Sequence, residues 1–221
     1  MNETDFPWSV SVRERVWLNS DNFALTCTRP EGFHFQAGQY VTLGMPGVER
    51  EYTITSAPDA PMLRFLVKQA VGGQMSVALA RMAVGEQLAM TKPRGYLTYR
   101  PTRRKVVFVG TGVGIAPYVA MAAAGVRGFT LIQGARMASG LFYRQELAAA
   151  ADRYVACLSG KAEDCIGAGA SPGYVTAWVE ANLPDEAYDF YLCGSRVMIH
   201  DMTHLLDRSF ADAVIYSEAY D

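Results

Sequence analysis

The chain has 221 residues, of which 50% are hydrophobic and 19% are charged, with a formal net charge of −2. This composition supports a sizeable core and excludes a disordered chain, and the length allows one large domain or two small ones. The small net charge provides no overall field that would attract nucleic acid or an anionic membrane.

The four cysteines are Cys27, Cys157, Cys165 and Cys193, and they have none of the close spacings of zinc or iron–sulfur sites. We therefore expect free thiols in a reducing compartment and no bound metal. The first residues lack the apolar segment of a signal peptide, and the most apolar stretch, 114–125, is shorter than the roughly 20 residues of a membrane span. These features predict a cytoplasmic protein.

The first hundred residues contain short strands separated by turns. Alternation of apolar and polar residues, as at Val10, Val12 and Val16, is typical of half-buried strands. We expect strands over 8–17, 23–28, 39–44, 51–55, 63–68 and 87–90, with one helix over 75–82. This spacing predicts an antiparallel β-barrel or sandwich.

After Pro101 the hydrophobic period changes, and strands alternate with helices. Predicted strands cover 105–109, 129–133, 153–157, 190–193 and 213–216, and predicted helices cover 115–124, 141–150, 174–181 and 197–206. This alternation predicts a doubly wound parallel sheet. We place the boundary in the polar linker near Pro101, which gives domains of residues 1–100 and 101–221.

One predicted strand of the first domain carries Arg50, Tyr52 and Thr53, and Ser56 follows it. A guanidinium can fork onto a phosphate, a phenol ring can cover a planar ligand, and a hydroxyl can bond a ring nitrogen. An ordinary amphipathic strand with an exposed arginine explains the same residues. The pattern alone leaves both interpretations open.

Two glycines, Gly72 and Gly73, precede Gln74, Met75 and Ser76 at the start of the predicted helix. Glycines permit an unusual turn, and the N–H groups of a helix N-terminus favour an anion. Ser76 acting only as a helix cap is the alternative.

A second glycine-rich turn, with Gly110, Gly112 and Gly114, lies between a predicted strand and a helix that contains Pro117. It departs from the usual G-x-G-x-x-G pattern, but its position between strand and helix is that of a nucleotide-binding turn. Further along, Cys193 and Gly194 end a strand, where open α/β sheets bind ligands. A buried structural thiol is the alternative for Cys193.

These elements, in this order, resemble the ferredoxin–NADP reductase family, in particular its compact bacterial members. The resemblance covers residues 8–220 and includes the segments 35–40, 85–86 and 93–95. It implies a flavin-binding barrel, with FAD rather than FMN, followed by an NAD(P)-binding domain. It also implies hydride transfer between nicotinamide C4 and flavin N5, and a ferredoxin or flavodoxin as the one-electron partner of a monomeric enzyme.

The resemblance also assigns roles to individual residues. The residues expected to contact the flavin are Arg50, Tyr52, Thr53, Val67, Gln74, Met75, Ser76, Thr111 and Tyr220. The residues expected to contact NAD(P) are Gly110, Gly112, Gly114, Arg136, Ser159, Lys161, Tyr174, Cys193 and Gly194. The residues expected to take part directly in hydride transfer are Thr53, Cys193, Glu218 and Tyr220. Tyr220 is expected to cover the flavin until the nicotinamide displaces it. For Glu218 and Tyr220, the alternative is a frayed C-terminus without a functional role.

The chain departs from the family pattern where arginines usually recognise the 2′-phosphate of NADPH. Arg136 matches one such position, Lys161 after Ser159 replaces a second arginine only approximately, and Tyr174 stands in the place of a third. We therefore expect NADPH to be favoured only slightly over NADH.

A group of basic residues could form a local docking face for an acidic carrier, or simply a solvated surface. Its members are Arg13, Arg15, Arg100, Arg103, Arg104 and Lys105. Three other functions stay open: the reductase component of a multicomponent oxygenase, a reductase that uses free flavin as a substrate, and a non-enzymatic flavin-binding sensor.

Overall fold

The structure is a computed structural model that describes residues 6–220, which form two compact units. One unit contains residues 6–98 together with 116–124, and the other contains residues 99–115 together with 125–220. The domain boundary between residues 100 and 101 remains a prediction, since the helical segment 116–124 groups with the first unit.

The first unit is built on an antiparallel sheet. Its elements are β1 (Trp8–Trp17), β2 (Asn22–Thr28), β3 (Tyr40–Met45), β4 (Val48–Thr53), β5 (Met62–Lys68), α1 (Gln74–Arg81) and β6 (Gln87–Met90). The strands pair in the order β4-β3-β6-β1-β2-β5. A bridge between Ile54 and Phe65 connects the end of β4 to β5, so the sheet nearly closes on itself. The predicted antiparallel barrel is therefore confirmed.

Alternating side chains fill this near-barrel, because successive residues of a strand face opposite sides. Val10 and Val12 of β1 are buried, as are Phe23 and Leu25 of β2. Cys27 continues this buried row and pairs in register with Val12. The alternation read from the sequence therefore identifies the core face of these strands.

One arginine connects the loops of the first unit. The guanidinium of Arg29 donates hydrogen bonds to the carbonyl oxygens of Phe33 (2.6 Å), Pro58 (2.5 Å) and Ala60 (2.9 Å). These bonds satisfy carbonyl groups of two separate loops with one charged donor, which holds both loops against the sheet.

The second unit contains a parallel sheet. Its strands are β7 (Lys105–Thr111), β8 (Phe129–Ala135), β9 (Arg153–Leu158), β10 (Ser171–Pro172), β11 (Tyr188–Ser195) and β12 (Ala213–Tyr220). The helices that follow β7 to β11 in the chain are α2 (Ala116–Ala123), α3 (Arg144–Ala150), α4 (Ala162–Ala168), α5 (Val175–Asn182) and α6 (Arg196–Ser209). The strands pair in the order β10-β9-β8-β7-β11-β12, and every pair is parallel.

Separate apolar clusters cover the two faces of this sheet. Alternate residues of β7, β8 and β11 pack with α5 and α6 in one cluster, which includes Val107, Val179 and Met202. Ala156 and Leu158 of β9 point the other way and pack with Cys165 of α4. Burial on both faces explains the continuous apolar strands, and the predicted doubly wound sheet is confirmed.

Several element bounds differ from the sequence-based expectations; β11 begins at Tyr188 rather than 190, and β12 continues to Tyr220 rather than ending at 216. Helix α3 begins at Arg144 rather than 141, because Tyr143 adopts a left-handed conformation with φ of 54°. Helix α4 and the two-residue strand β10 have no counterpart among the predicted elements.

Among the described residues, no helix has both the length and the apolar character needed to cross a membrane.

Candidate functional site

The motif of the first unit lies at the end of β4. Arg50 is exposed and donates a hydrogen bond to the Glu49 carbonyl (2.8 Å), while Thr53 is buried. Tyr52 is half-buried, and burial raises the pKa of its phenol to about 12, although the nearby Arg50 charge acts in the opposite direction. The phenol therefore stays protonated at neutral pH and can donate a hydrogen bond.

Thr55 was not among the expected site residues, yet it is the polar group here that most needs a partner. Its side chain is 3% exposed, and no hydrogen-bond partner for Oγ1 exists within residues 6–220. A buried hydroxyl without a partner costs free energy, so this position suits a polar ligand atom. By contrast, Ser56 Oγ accepts a hydrogen bond from the Arg64 N–H (3.2 Å) and connects neighbouring segments.

The turn before α1 suits an anion. Gly72 has a φ of 75°, and a Cβ added there would have nothing within 4 Å. Helix α1 has Gly73 at its N-cap with no side-chain cap, and no acidic residue lies in its first turn. The first N–H groups of a helix lack partners inside it, so Gln74 and Met75 can present their N–H groups to a phosphate.

Ser76 and Val67 have structural contacts of their own. Ser76 Oγ accepts a hydrogen bond from the Ala70 N–H (3.1 Å), so its hydroxyl holds the turn and still has one proton to donate. Val67 and Met75 place their side chains in the core of the near-barrel. The flavin contacts expected of Val67, Met75 and Ser76 remain predictions.

These observations fit a flavin dinucleotide. An open glycine turn and an uncapped helix start can hold phosphate groups, and the unsatisfied Thr55 hydroxyl and the protonated Tyr52 phenol can meet a polar ring system. Arg50 supplies a positive charge on β4, where it lies between Glu49 and Glu51, and the first turn of α1 contains no acidic residue.

In the second unit, the glycine turn after β7 lies against the end of β11. A Cβ added at Gly114 would lie 2.6 Å from the carbonyl carbon of Cys193 and 2.6 Å from the Cα of Gly194. A side chain at Gly114 would therefore force the backbone of Cys193 and Gly194 to shift. Gly112 is different, because a Cβ there would have nothing within 4 Å. The turn is therefore tight on its β11 side and open where a nucleotide would approach.

Gly194, in turn, lies close to Thr111 at the end of β7. Its φ is 149°, and an added Cβ would lie 3.2 Å from the Thr111 nitrogen, 3.1 Å from Met198 Cε, and against Thr111 Oγ1. Gly110 pairs in register with Cys193, so the two glycine-containing strand ends are neighbours. The predicted nucleotide-binding turn and the Cys193–Gly194 strand end thus pack directly against each other in the second unit.

Three residues expected near the nicotinamide come together beside this contact. Strand β12 runs to Tyr220 and pairs with β11, with Cys193 opposite Glu218 and Ser195 opposite Tyr220. The Cys193 thiol is fully buried and shares a side-chain hydrogen bond with Tyr220. Burial raises the pKa of the Cys193 thiol well above its ordinary value, and the Glu218 charge adds to this effect. The thiol is therefore neutral at physiological pH.

The residues expected around the adenosine lie at the same edge of the sheet. Arg136 follows the carboxyl end of β8, and Ser159 and Lys161 follow that of β9. Tyr174 precedes α5, next to Gly173, whose N–H donates to the Leu158 carbonyl (2.8 Å). Arg136, Ser159, Lys161 and Tyr174 are exposed, so two cationic side chains and two hydroxyls share this edge.

The basic group expected as a docking face is partly engaged within the protein. Arg104 forms ion pairs with Asp189 (2.8 Å) and Asp212 (2.8 Å), and Lys105 pairs with Glu186. These pairs neutralise Arg104 and Lys105 locally, so the expected face loses two of its six charges. Sequence proximity of basic residues did not predict this, because the acidic partners come from distant segments.

Two further members of the basic group also have intramolecular contacts. Arg15 donates a hydrogen bond to the Met82 carbonyl (2.8 Å), next to the end of α1. The Arg100 guanidinium lies over the Tyr216 ring, 4.8 Å from its centroid. A cation over an aromatic face keeps its charge but is held in place, so Arg100 is not a freely moving surface charge.

Two family models match the chain: the oxidoreductase FAD-binding domain over residues 7–99 and the oxidoreductase NAD-binding domain over residues 108–204. The reductase component of propane 2-monooxygenase from Rhodococcus jostii is 31% identical over 201 residues, which cover 83% of this chain and 54% of that protein. Ferredoxin–NADP reductase B from Sorangium cellulosum is 35% identical over 156 residues, which cover 66% of this chain and 61% of that protein. The matches thus span little more than half the length of these relatives.

Among solved structures, a ferredoxin–NADP reductase from Neisseria gonorrhoeae, with bound FAD and NADP, has the same fold. Its TM-score is 0.79 at 21% sequence identity, and the alignment covers 95% of this chain and 98% of that one. The two matched models account for most of the described residues and agree with the near-barrel and the parallel sheet. The chain therefore belongs to the ferredoxin–NADP reductase-like family of oxidoreductases, with an FAD-binding domain followed by an NAD(P)-binding domain.

Proposed function

We propose that this chain moves electrons between NAD(P)H and a one-electron carrier protein, a ferredoxin or a flavodoxin. The flavin supplies the chemistry when bound, since flavins accept a hydride from a nicotinamide and pass electrons on singly. The observation that carries the proposal is the cluster of Cys193, Glu218 and Tyr220 at adjacent strand ends, beside the glycine turn that contains Gly114.

In this proposal the cluster positions the nicotinamide. The neutral, buried Cys193 thiol provides a compact apolar wall that excludes water without adding charge. Glu218 orients the ring or relays a proton, and Tyr220 occupies the ring position until the nicotinamide enters. No strong acid or nucleophile is needed, because the protein's task is to align two rings in a dry site.

The first unit would hold the flavin through three kinds of contact. Arg50 and the first turn of α1 would bind its phosphates, Tyr52 would lie along its ring, and Thr53 would hydrogen-bond its N5 atom. The open turn at Gly72 and the unsatisfied hydroxyl of Thr55 support this assignment. The flavin contact expected of Thr111 remains a prediction.

The carrier is tested by mixing flavin-loaded protein with NADPH or NADH and a purified ferredoxin or flavodoxin, and following carrier reduction. We expect reduction that saturates with carrier and slows with added salt, since both carriers are acidic and steering of charged partners is screened by ions. Failure to reduce either carrier, while the flavin itself is reduced, would exclude the carrier proposal. Reduction at a rate independent of salt would exclude docking through the remaining basic residues.

A second candidate is the reductase component of an oxygenase. It is favoured by the similarity to the propane 2-monooxygenase reductase, which extends over 83% of this chain. The two candidates share the nicotinamide and flavin steps and differ in the final acceptor. Reduction of an oxygenase component in preference to a ferredoxin or flavodoxin would identify the second.

Two other functions make different predictions about the flavin. A reductase that uses free flavin would purify colourless and would show saturation kinetics with added flavin. A non-enzymatic sensor would retain flavin that NAD(P)H does not bleach. The turn at Gly72 and Gly73 favours a retained flavin, and the cluster around Cys193 favours reduction by NAD(P)H.

A further inference from the structure

Helix α6 carries two of the three histidines of the chain on its outer face. His200 and His204 are four residues apart, a spacing that places side chains one above the other on a helix. Both are exposed, whereas Met198, Met202, Leu205 and Leu206 of the same helix are buried against the sheet. The pair is therefore accessible to solvent and has no part in the core.

The two imidazoles face each other through their Nε2 atoms. The Nε2 atoms of His200 and His204 are 3.1 Å apart, and the rings meet edge to face with centroids 4.4 Å apart. Two imidazole nitrogens bound to one metal at about 2.0–2.1 Å and separated by this distance would subtend an angle of about 95–102°. That angle lies between the values of square or octahedral and tetrahedral coordination.

A carboxylate already orients one of the rings. The Nδ1 atom of His200 lies 3.2 Å from Asp201 Oδ1. A proton on Nδ1 donated to this carboxylate leaves the lone pair of His200 on Nε2, which points to His204. A carboxylate that accepts a hydrogen bond from Nδ1 fixes the tautomer of a metal-binding histidine and strengthens its Nε2 as a ligand.

We propose that His200 and His204 form a two-histidine chelate for a divalent transition-metal ion, with Asp201 as the positioning residue. Without metal, the His204 Nε2–H donates to His200 Nε2; on binding, His204 carries its proton on Nδ1 and both Nε2 atoms coordinate. Within residues 6–220, no group of three or more histidine, cysteine or carboxylate side chains could hold a metal, so water completes this coordination. Imidazole ligands select Cu²⁺, Ni²⁺ and Zn²⁺ over Mg²⁺ and Ca²⁺.

The test uses the untagged, flavin-loaded chain and its retention on Cu²⁺- and Ni²⁺-chelate resins, followed by titration with Cu²⁺ monitored by electron paramagnetic resonance. We expect one Cu²⁺ per chain, a signal split by two imidazole nitrogens, and affinity in the order Cu²⁺ above Ni²⁺ and Zn²⁺. His200→Gln or His204→Gln should weaken binding at least about 10-fold and leave a one-nitrogen signal, and Asp201→Asn should weaken it by up to about 10-fold.

The third histidine provides the matched control. His34 lies outside α6 and is exposed, so His34→Gln should change neither resin retention nor the copper signal. All these side chains are exposed, so the variants are expected to fold, and circular dichroism verifies this. Equal Cu²⁺ affinity in the wild type and in the double variant His200→Gln/His204→Gln would overturn the proposal, as would loss of binding in His34→Gln alone.

Discussion

Gly114 packs directly against the peptide that joins Cys193 to Gly194, and no space for a side chain separates them. The contact joins the glycine turn after β7 to the end of β11, two segments that are 79 residues apart in sequence (193 − 114). It brings the turn expected to hold a nucleotide to the thiol expected beside the nicotinamide. The proposed site of the second unit depends on this contact.

The contact predicts a large effect of one methyl group. Gly114→Ala would place its Cβ 2.6 Å from backbone atoms of Cys193 and Gly194, which must then shift. Overpacking of this kind typically costs about 1–3 kcal/mol. We expect a loss of that size in the free energy of unfolding, measured in urea, and weaker NADPH binding.

A matched control for this variant is Gly167→Ala in α4, where an added Cβ has nothing within 4 Å. It should be neutral or should stabilise the protein by up to about 1 kcal/mol, since alanine is the better helix former. Equal stability of the Gly114→Ala variant and the wild type would contradict the close approach.

The buried thiol of Cys193 predicts a defect in reduction rather than in flavin binding. Cys193→Ser replaces it with a hydroxyl of different size and polarity, which disturbs the wall beside the proposed nicotinamide position. Small displacements of reacting groups can cost about 100-fold in rate. We expect flavin bleaching by NADPH, followed by stopped-flow absorbance, to slow about 10- to 100-fold while bound FAD stays unchanged.

Cys165→Ser is the control for this variant, because Cys165 is also a buried free thiol but packs with Ala156 and Leu158 of β9, away from Cys193. Its bleaching rate should match that of the wild type. A Cys193→Ser variant that is reduced at the wild-type rate would remove Cys193 from the proposed mechanism.

Most of the fold could be predicted from the sequence, because the hydrophobic period reports directly which faces are buried. Strands β1 and β6 have the predicted ends, Trp8–Trp17 and Gln87–Met90. Helix α4 could not be predicted, because its seven residues include Gly167 and are too few for a clear period. The late start of α3 depends on the left-handed Tyr143, which no local pattern indicates.

The residues of the candidate site could be named from the sequence, but their partners could not. The pairing of Cys193 with Glu218 requires the register of two parallel strands, and that register is set by packing rather than by either segment alone. The unsatisfied Thr55 hydroxyl and the ion pairs of Arg104 likewise depend on groups that are distant in sequence.

Alkaline pH should destabilise the first unit through Cys27. Burial raises the pKa of this thiol from 9.0 to about 12. Between these values the unfolded chain releases the proton and the folded chain keeps it, so stability that is complete below about pH 9 is lost as the pH rises towards 12. A single thiol with this shift lowers the free energy of unfolding by about 1 kcal/mol between pH 9 and pH 10. Urea unfolding at two pH values measures the loss.

Cys27→Ala should reduce this loss by about 1 kcal/mol per pH unit, although the variant is less stable at neutral pH because of the cavity. Val12→Ala is the matched control, since Val12 is equally buried and pairs in register with Cys27 but carries no titrating group. An unchanged pH dependence in Cys27→Ala would contradict the assignment.

The exposed cations at the sheet edge predict the coenzyme preference. Arg136→Ala should raise the KM for NADPH about 10-fold or more and leave the KM for NADH nearly unchanged, because only NADPH carries the 2′-phosphate that a guanidinium can fork onto. Arg127→Ala is the control, because Arg127 is also exposed but lies just before β8, at the opposite end of the strand. Equal losses for NADPH and NADH in Arg136→Ala would exclude recognition of the 2′-phosphate.

The central claim, that this chain holds a flavin and reduces it with a nicotinamide, is tested most directly by an absorbance spectrum of the purified protein. The spectrum is recorded before and during anaerobic titration with NADPH and then with NADH. We expect a yellow protein with one FAD per chain that bleaches with about one equivalent of NADPH, and with NADH at somewhat higher concentration. A protein that retains no flavin after reconstitution with FAD, or whose bound flavin neither coenzyme bleaches, would contradict the account.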